Sequence, residues 1–267
     1  MIAFQDFLPA LGIFGSRWTG LDNFRYLLNM PNTFRVIWNT FFISFMKIGA
    51  NVIIPLIFAL LLNEVRKSVI KRSIQTIIYI PHFLSWVIMA GMVIDILSPS
   101  RGIVNKLITS FGLQPVFFLG NNNLFPYVLV STEVWKEFGF GTIIFMAALT
   151  GINPELYEAA IVDGANRWKQ TLHITIPGIM YIVMLVLTLS VGNALNNSNY
   201  FEQVFNLYSP LVYRSGDIID TLVYRVGMMD ARYGLATALG LFKSVVSLVL
   251  LTSAHRISYK LSGYKLF

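Results

Sequence analysis

Long apolar runs separated by short polar stretches dominate the chain. A helix needs roughly 20 mostly apolar residues to cross the hydrocarbon core of a bilayer, and five stretches reach that length. They are residues 36–62 (with an unbroken apolar run at 52–62), 74–97, 124–149, a run from 176 that fades into the polar segment 193–199, and 235–254. Residues 103–119 are also apolar but short and broken by Gly and Pro, so they read as a surface helix or a re-entrant piece. The pattern predicts an all-α fold, a polytopic transmembrane helix bundle.

Basic residues orient the spans. Arg66, Lys67, Lys71 and Arg72 lie between the first two, Arg167 and Lys169 follow the third, and Arg256, Lys260 and Lys265 close the chain; these are nine of the 20 Lys and Arg residues. The opposite segments, 1–35, 98–123 and 193–233, are about twice as long and hold eight. The positive-inside bias therefore places the first set, and the C-terminus, in the cytoplasm. Five spans then leave the N-terminus outside. The expectation is that a first transmembrane helix precedes Met1, with a natively N-out chain as the alternative. Residues 1–35 become an extracytoplasmic lead segment, and 36–267 the transmembrane domain with a cytoplasmic loop at 151–177.

Composition agrees. Charged residues make up 12%, hydrophobic residues 55%, and the mean hydropathy is +0.65. Soluble domains carry about a quarter charged residues, so this chain has too little polar surface to cover itself in water. Aromatics at 14% suit bilayer interfaces. A net charge of +7 in a soluble protein would suggest nucleic acid; here the positive-inside bias accounts for it, and no nucleic-acid partner is expected. The absence of Cys excludes disulfides, thiolate metal sites and cysteine nucleophiles. With no Gly-Lys dipeptide there is no P-loop, and there is no HExxH zinc motif. Any ATP used is hydrolysed by another chain. No nucleophile–base set emerges, and His82, His173 and His255 fall in unrelated segments and read as interfacial. No catalytic or metal-binding residue is assigned.

The most informative segment is the loop 153–177. Asn153 suits a helix N-cap and Pro154 the first helical position. Glu155 and Glu158 favour the positive end of the helix. Glu158, Ala159, Ala160 and Ile161 continue a short helix whose small side chains allow close approach. Gly164 suits the left-handed conformation that ends helices. A second helical stretch, 166–172, leads to Pro177, which opens the next span. Physics alone leaves open an ordinary amphipathic interfacial helix.

This loop resembles the EAA motif of binding-protein-dependent ABC importer permeases. That motif runs Glu-Ala-Ala, three residues, Gly, then about nine residues to Ile-x-Leu-Pro. The chain has Glu158-Ala159-Ala160, Asp163-Gly164-Ala165 and Ile174-Thr175-Ile176-Pro177, with Ile176 in place of Leu. Gly20-Leu21-Asp22-Asn23-Phe24 with Asn39-Thr40, Tyr79-Ile80-Pro81 and Gly102-Ile103-Val104-Asn105 extend the likeness over essentially the whole chain. It is strongest to the maltose and glycerol-phosphate permease family, whose members usually have six or more spans.

The resemblance implies a type I ABC importer permease in the bacterial cytoplasmic (inner) membrane, one half of a core formed with a second, non-identical permease. It implies two ATPase subunits below, which hold the ATP and Mg, and a periplasmic binding protein above. This chain would itself be non-catalytic and without cofactor. Glu158, Ala159, Ala160, Asp163, Gly164, Ala165 and Pro177 are the implied ATPase-coupling residues: Glu158 as polar anchor, the alanines as close-packed face, Gly164 as turn. Arg167 and Lys169 would touch the ATPase or lipid headgroups.

Ionisable and amide groups within spans usually face a cavity or a partner helix. Lys47 and Asn51 share one helix face. Glu133, Lys136 and Glu137 either pair along one helix or meet the binding protein at the outer end. Asn193, Asn196, Asn197, Asn199 and Tyr200 concentrate hydrogen-bonding capacity where the fourth span ends, as a sugar path requires or as a solvated helix end would show. With Lys243, these are the candidate translocation path. The lead residues Ala3-Phe4-Gln5-Asp6-Phe7 and Gly12-Ile13-Phe14-Gly15-Ser16 resemble the oligosaccharide branch that includes importers of alginate and other uronate oligomers, and Lys47 and Lys243 would suit an anionic sugar. The competing reading is an ion-coupled secondary transporter, which uses intramembrane acids and often shows inverted repeats; no repeat is visible.

Overall fold

The computed structural model describes residues 1–195 and 198–262, of which 257–259 and 261–262 are described by backbone alone. The helices are α1 (Gly12–Gly15), α2 (Asp22–Asn29), α3 (Thr33–Glu64), α4 (Ser68–Tyr79), α5 (Trp86–Leu97), α6 (Ile103–Ser110), α7 (Phe125–Thr150), α8 (Pro154–Val162), α9 (Arg167–Gln170), α10 (Ile176–Asn193), α11 (Ser198–Leu207), α12 (Tyr213–Gly216), α13 (Ile219–Tyr224) and α14 (Tyr233–Ser262). Among the described residues the one strand pairing is a short antiparallel hairpin, Gln5–Asp6 against Arg17–Trp18.

Three helices are long and apolar enough to cross a membrane among the described residues: Thr33–Glu64, Arg167–Asn193 and Tyr233–Arg256. The third expected span forms as α7, 26 residues long, with Glu133, Lys136 and Glu137 in its middle. The second expected span, 74–97, is not one helix. Pro81 lies in a 3-10 turn at Ile80–Phe83, and Leu84 is extended. Ser85 then starts α5, its hydroxyl accepting from the Ile88 N–H. Proline removes a backbone donor and a serine cap restarts the helix, so a continuous apolar run becomes two helices.

Exposed apolar side chains on α3 form a stripe of Phe34, Trp38 and Phe45 in its first half and another of Ile53, Ile57 and Leu61, turned round the helix, in its second. Only 17% of the apolar window in Arg167–Asn193 is buried within the chain. Stripes of this length face lipid or partner subunits rather than water.

The chain divides into two compact units. The first comprises Met1–Met46, Ser85–Glu133 and Asn193–Val249. Its core gathers Ala3, Leu27, Val36, Ile219, Leu222, Leu235 and Leu239, so the lead residues pack with the start of α3, α13 and α14. Asn23 holds the hairpin by donating to the carbonyls of Ala3 and Gln5, both at 3.0 Å. Buried Gln203 on α11 donates to Leu129 O at 2.6 Å and Thr132 Oγ1 at 2.7 Å.

The second unit comprises Lys47–Leu84, Val134–Gly192 and Leu250–Phe267. Val52, Ala59 and Leu62 of α3 meet Phe145, Met146 and Leu149 of α7 and Ile179 of α10. At Gly139 an added Cβ would lie 1.9 Å from the Ile78 carbonyl oxygen, so α7 and α4 touch backbone to backbone there.

Candidate functional site

The loop 153–177 lies within the second unit and is built by local chemistry. Asn153 Oδ1 accepts from the Glu155 N–H at 3.0 Å, and Pro154 occupies the first turn of α8. Gly164, at φ +74, ends that helix. Its N–H donates to Ile161 O at 3.0 Å, and the Ala165 N–H donates to Ala160 O at 2.8 Å. This pair of bonds is a Schellman cap, which needs a left-handed residue at its centre. Asp163 is the last residue before the turn.

On α8, Glu158 and Ala159 are exposed and Ala160 is half-buried. Leu156, Ile161, Val162, Trp168 and Leu172 are exposed around them, Val162 at 86%. The loop thus presents an apolar surface, with the carboxylates of Glu155, Glu158 and Asp163 exposed beside it. Arg167 Nη1 meets Glu64 at 3.2 Å, a surface pair of small energetic weight.

Behind that surface the loop is tied to the long helix. The Tyr157 hydroxyl lies 3.0 Å from Thr175 Oγ1. Buried Gln170 donates to Ala165 O at 2.9 Å. A cavity of about 210 Å³ lies there, with Tyr157, Gln170 and Thr175 in its wall. These three residues were not among the expected site residues; the hint available was a polar Gln and Thr at positions that continue an apolar helix.

Pro177 does not open the span, contrary to the expectation. One helix runs through it from Arg167 to Asn193. Just before the proline, Thr171–Thr175 widens into a π-turn, the Ile176 N–H reaching back to Thr171 O. Proline has no N–H to give and its ring crowds the preceding turn, and the extra residue in the turn absorbs both defects.

Several of the polar residues within spans are held by packed partners, while the atoms Asn51 Oδ1, Glu133 Oε2 and Glu137 Oε1 are buried without a hydrogen-bond partner. Lys136 Nζ donates to the carbonyls of His82 and Leu84, each at 2.7 Å, closing the break between α4 and α5. Glu137 Oε2 meets His82 Nδ1 at 2.8 Å, and the His82 ring stacks on Phe140. His82 is therefore a packed partner rather than an interfacial residue. Lys47 and Glu133 are buried, at 0% and 2% exposure, and Asn51 is half-buried. Lys243 Nζ pairs with the Asp220 carboxylate. Asn193 is exposed, and Asn199 and Tyr200 on α11 are half-buried. Asn196 and Asn197, like Lys265, lie outside the described residues.

Residues 51–262 match the family described as "Binding-protein-dependent transport system inner membrane component". The chain belongs to this family. It is 42% identical to Protein LplB of Bacillus subtilis (strain 168), over all of this chain and 83% of the relative. It is 40% identical to the polygalacturonan/rhamnogalacturonan transport system permease protein YteP of the same organism, over 97% of this chain and 80% of the relative. A solved bacterial ABC transporter involved in the import of the acidic polysaccharide alginate contains a chain that superposes with a TM-score of 0.87. The two are 40% identical, over 91% of this chain and 84% of that one.

The fold is thus that of a type I ABC importer permease, as the EAA resemblance implied, and the protein is a multi-pass membrane permease subunit. Family membership decides against the ion-coupled carrier.

Proposed function

We propose that this chain forms half of the membrane pathway of an ATP-driven importer for acidic oligosaccharides. It pairs with a second, different permease. Two ATPase subunits bind ATP and Mg on the cytoplasmic side, where the C-terminus also lies, and a periplasmic binding protein delivers the sugar.

The observation that carries this reading is α8 with its Schellman cap. A short helix exposes Leu156, Ile161 and Val162 around Glu158, and Tyr157 ties it to the helix that continues into α10. Seated in a cleft of an ATPase, such a helix passes a rigid-body push to the span behind it. Glu158 is the polar anchor, Ala159 and Ala160 the close-packed face, and Asp163, Gly164 and Ala165 the turn. Pro177 lies inside the continuous helix, just past the π-turn at Thr171–Thr175.

The substrate class is supported by two relatives named for polygalacturonan/rhamnogalacturonan and alginate. A solved alginate transporter in complex with an alginate pentasaccharide-bound periplasmic protein, whose chain aligns with a TM-score of 0.88 at 39% identity over 92% of this chain and 85% of that one, supports a binding-protein partner. The path residues proposed are Lys47, Asn51, Glu133, Lys136, Glu137, Asn193, Asn196, Asn197, Asn199, Tyr200 and Lys243, acting in whichever conformation opens the pathway.

The test is gentle solubilisation of the tagged chain, with and without Glu158→Lys and Gly164→Pro. An ATPase subunit and a second permease are expected with the wild type, and loss of the ATPase alone in the variants. A chain that purifies alone, unchanged by either substitution, would sink the reading. Uptake assays then compare uronate oligomers with neutral oligosaccharides of the same length.

A further inference from the structure

Helix α6, Ile103–Ser110 in the first unit, has three different sides. Val104, Asn105 and Ile108 turn toward the protein, Asn105 at 2% exposure. Ile103, Leu107 and Phe111, the last just past the helix end, recur every fourth residue and are 63%, 59% and 81% exposed. Lys106, Thr109 and Ser110 make a third side, exposed and polar. At about 100° per residue the three sets occupy separate sectors of the helix.

The helix cannot roll to hide its apolar side. Asn105 Nδ2 lies 3.0–3.2 Å from the carbonyls of Leu97 and Ser98, at the end of α5, and of Val116, on the return segment. Its Oδ1 accepts from the Val116 N–H at 2.7 Å. At Gly102 an added Cβ would lie 2.4 Å from the Ile96 carbonyl oxygen, so the chain folds back directly on the end of α5. That helix and the one before it are together apolar enough to span a bilayer, and α5 exposes Val87, Ile88, Met92 and Ile94. The clamp therefore fixes α6 at the end of a membrane helix, with its exposed apolar side continuing an exposed apolar surface. From residue 96 to 132 the chain has no Asp or Glu, and its two charged residues are Arg101 and Lys106. Both are exposed, and neither pairs with a carboxylate among the described residues.

We infer that α6 lies along the membrane surface, with Ile103, Leu107 and Phe111 in the lipid and Arg101 and Lys106 on anionic phospholipid headgroups. The leaflet is the periplasmic one, the side to which the charge distribution assigns residues 98–123. A helix at the bilayer surface beside a bundle meets protein, lipid and water, and α6 has one side suited to each. Water alone would leave three large apolar side chains uncovered. A protein partner would cover them but would have to supply acids for two cations, whereas anionic headgroups answer both the apolar side and the charges. The inference needs only that the chain is a membrane permease and is independent of the importer reading.

The experiment places the whole transporter in nanodiscs of phosphatidylcholine, with or without phosphatidylglycerol. The chain has no Cys, so Leu107→Cys and Thr109→Cys each give it a single site for a fluorescent label. Both positions are exposed, so neither change disturbs the core. Lipid carrying a nitroxide high on its acyl chain should quench the Leu107 label roughly threefold more than the Thr109 label, and iodide in the water should reverse that order. Phosphatidylglycerol should strengthen the lipid quenching at Leu107, and Arg101→Gln with Lys106→Gln should remove that increment. A Leu107 label quenched by iodide and not by lipid overturns the inference, because the apolar side would then face water. Protection from both quenchers also overturns it and assigns that side to a protein partner. An increment that is missing, or that survives both Gln substitutions, overturns the headgroup contact. The readout needs no ATP, so failure of the importer reading would leave it intact.

Discussion

The Tyr157 hydroxyl sits 3.0 Å from Thr175 Oγ1, joining the exposed helix α8 to the π-turn that feeds α10. The contact spans 18 residues of sequence and ties the exposed helix α8 to the long helix Arg167–Asn193 through side chains as well as backbone. Removing it should not unfold either helix, since a single neutral hydrogen bond contributes about 1 kcal/mol. Tyr157→Phe and Thr175→Val should therefore retain the ATPase on purification but loosen coupling, lowering sugar moved per ATP about two- to fivefold. A ratio of transport to hydrolysis equal to wild type in both variants would show that the backbone alone carries the push.

Gly164 separates the roles of conformation and contact. At φ +74 a non-glycine residue with a Cβ costs roughly 1–2 kcal/mol, yet no atom lies within 4 Å of where that Cβ would be. The penalty is one of backbone alone, and Asn tolerates that region better than Ala. Gly164→Ala should weaken ATPase retention by roughly tenfold, and Gly164→Asn by clearly less. Equal losses would mean that the partner, rather than the φ angle, demands glycine here.

Lys136 carries a structural load at the break between α4 and α5. Its ammonium is the donor for two carbonyls, His82 O and Leu84 O, in a segment where Pro81 has no N–H. Lys136→Met leaves both acceptors without that donor in a low-dielectric setting, at a cost of roughly 2–4 kcal/mol. The melting temperature of the detergent-solubilised complex should drop by several degrees. Glu137→Gln keeps a hydrogen-bonding group beside His82 and should cost much less. Wild-type melting of Lys136→Met would return this lysine to the translocation path as its main role.

The local structure of the loop 153–177 was legible in the sequence because its caps and turn are set within a few residues. Asn153 caps two residues ahead, Pro154 needs no donor, and Gly164 closes its own helix; each reads from residue type and spacing. The break at 80–85 had its signals in Pro81 and Ser85, but the uninterrupted hydrophobicity of 74–97 hid them. The partners of Lys136 and Lys243 were not legible, because they lie 52–54 and 23 residues away and depend on how helices pack. The π-turn before Pro177 was hidden for another reason. Proline within an apolar run fits a helix start as well as a distorted helix interior, and only packing decides between them.

Lys243 is where the substrate hypothesis meets the structure most directly. As a lone cation within a span it suited an anionic sugar, but the Asp220 carboxylate holds it, and both side chains are mostly buried. A paired lysine offers little net charge to a passing uronate unless the pair opens during the cycle. Removing one partner strands the other: Lys243→Met should destabilise the permease by roughly 3 kcal/mol, with Asp220→Asn in the same background recovering most of it. The double variant then isolates transport from folding. If the pair is only structural, its uptake of a uronate oligomer should match wild type. If uptake of the uronate falls tenfold or more while a neutral oligosaccharide of equal length is unaffected, Lys243 leaves Asp220 during transport and meets the carboxylate of the sugar.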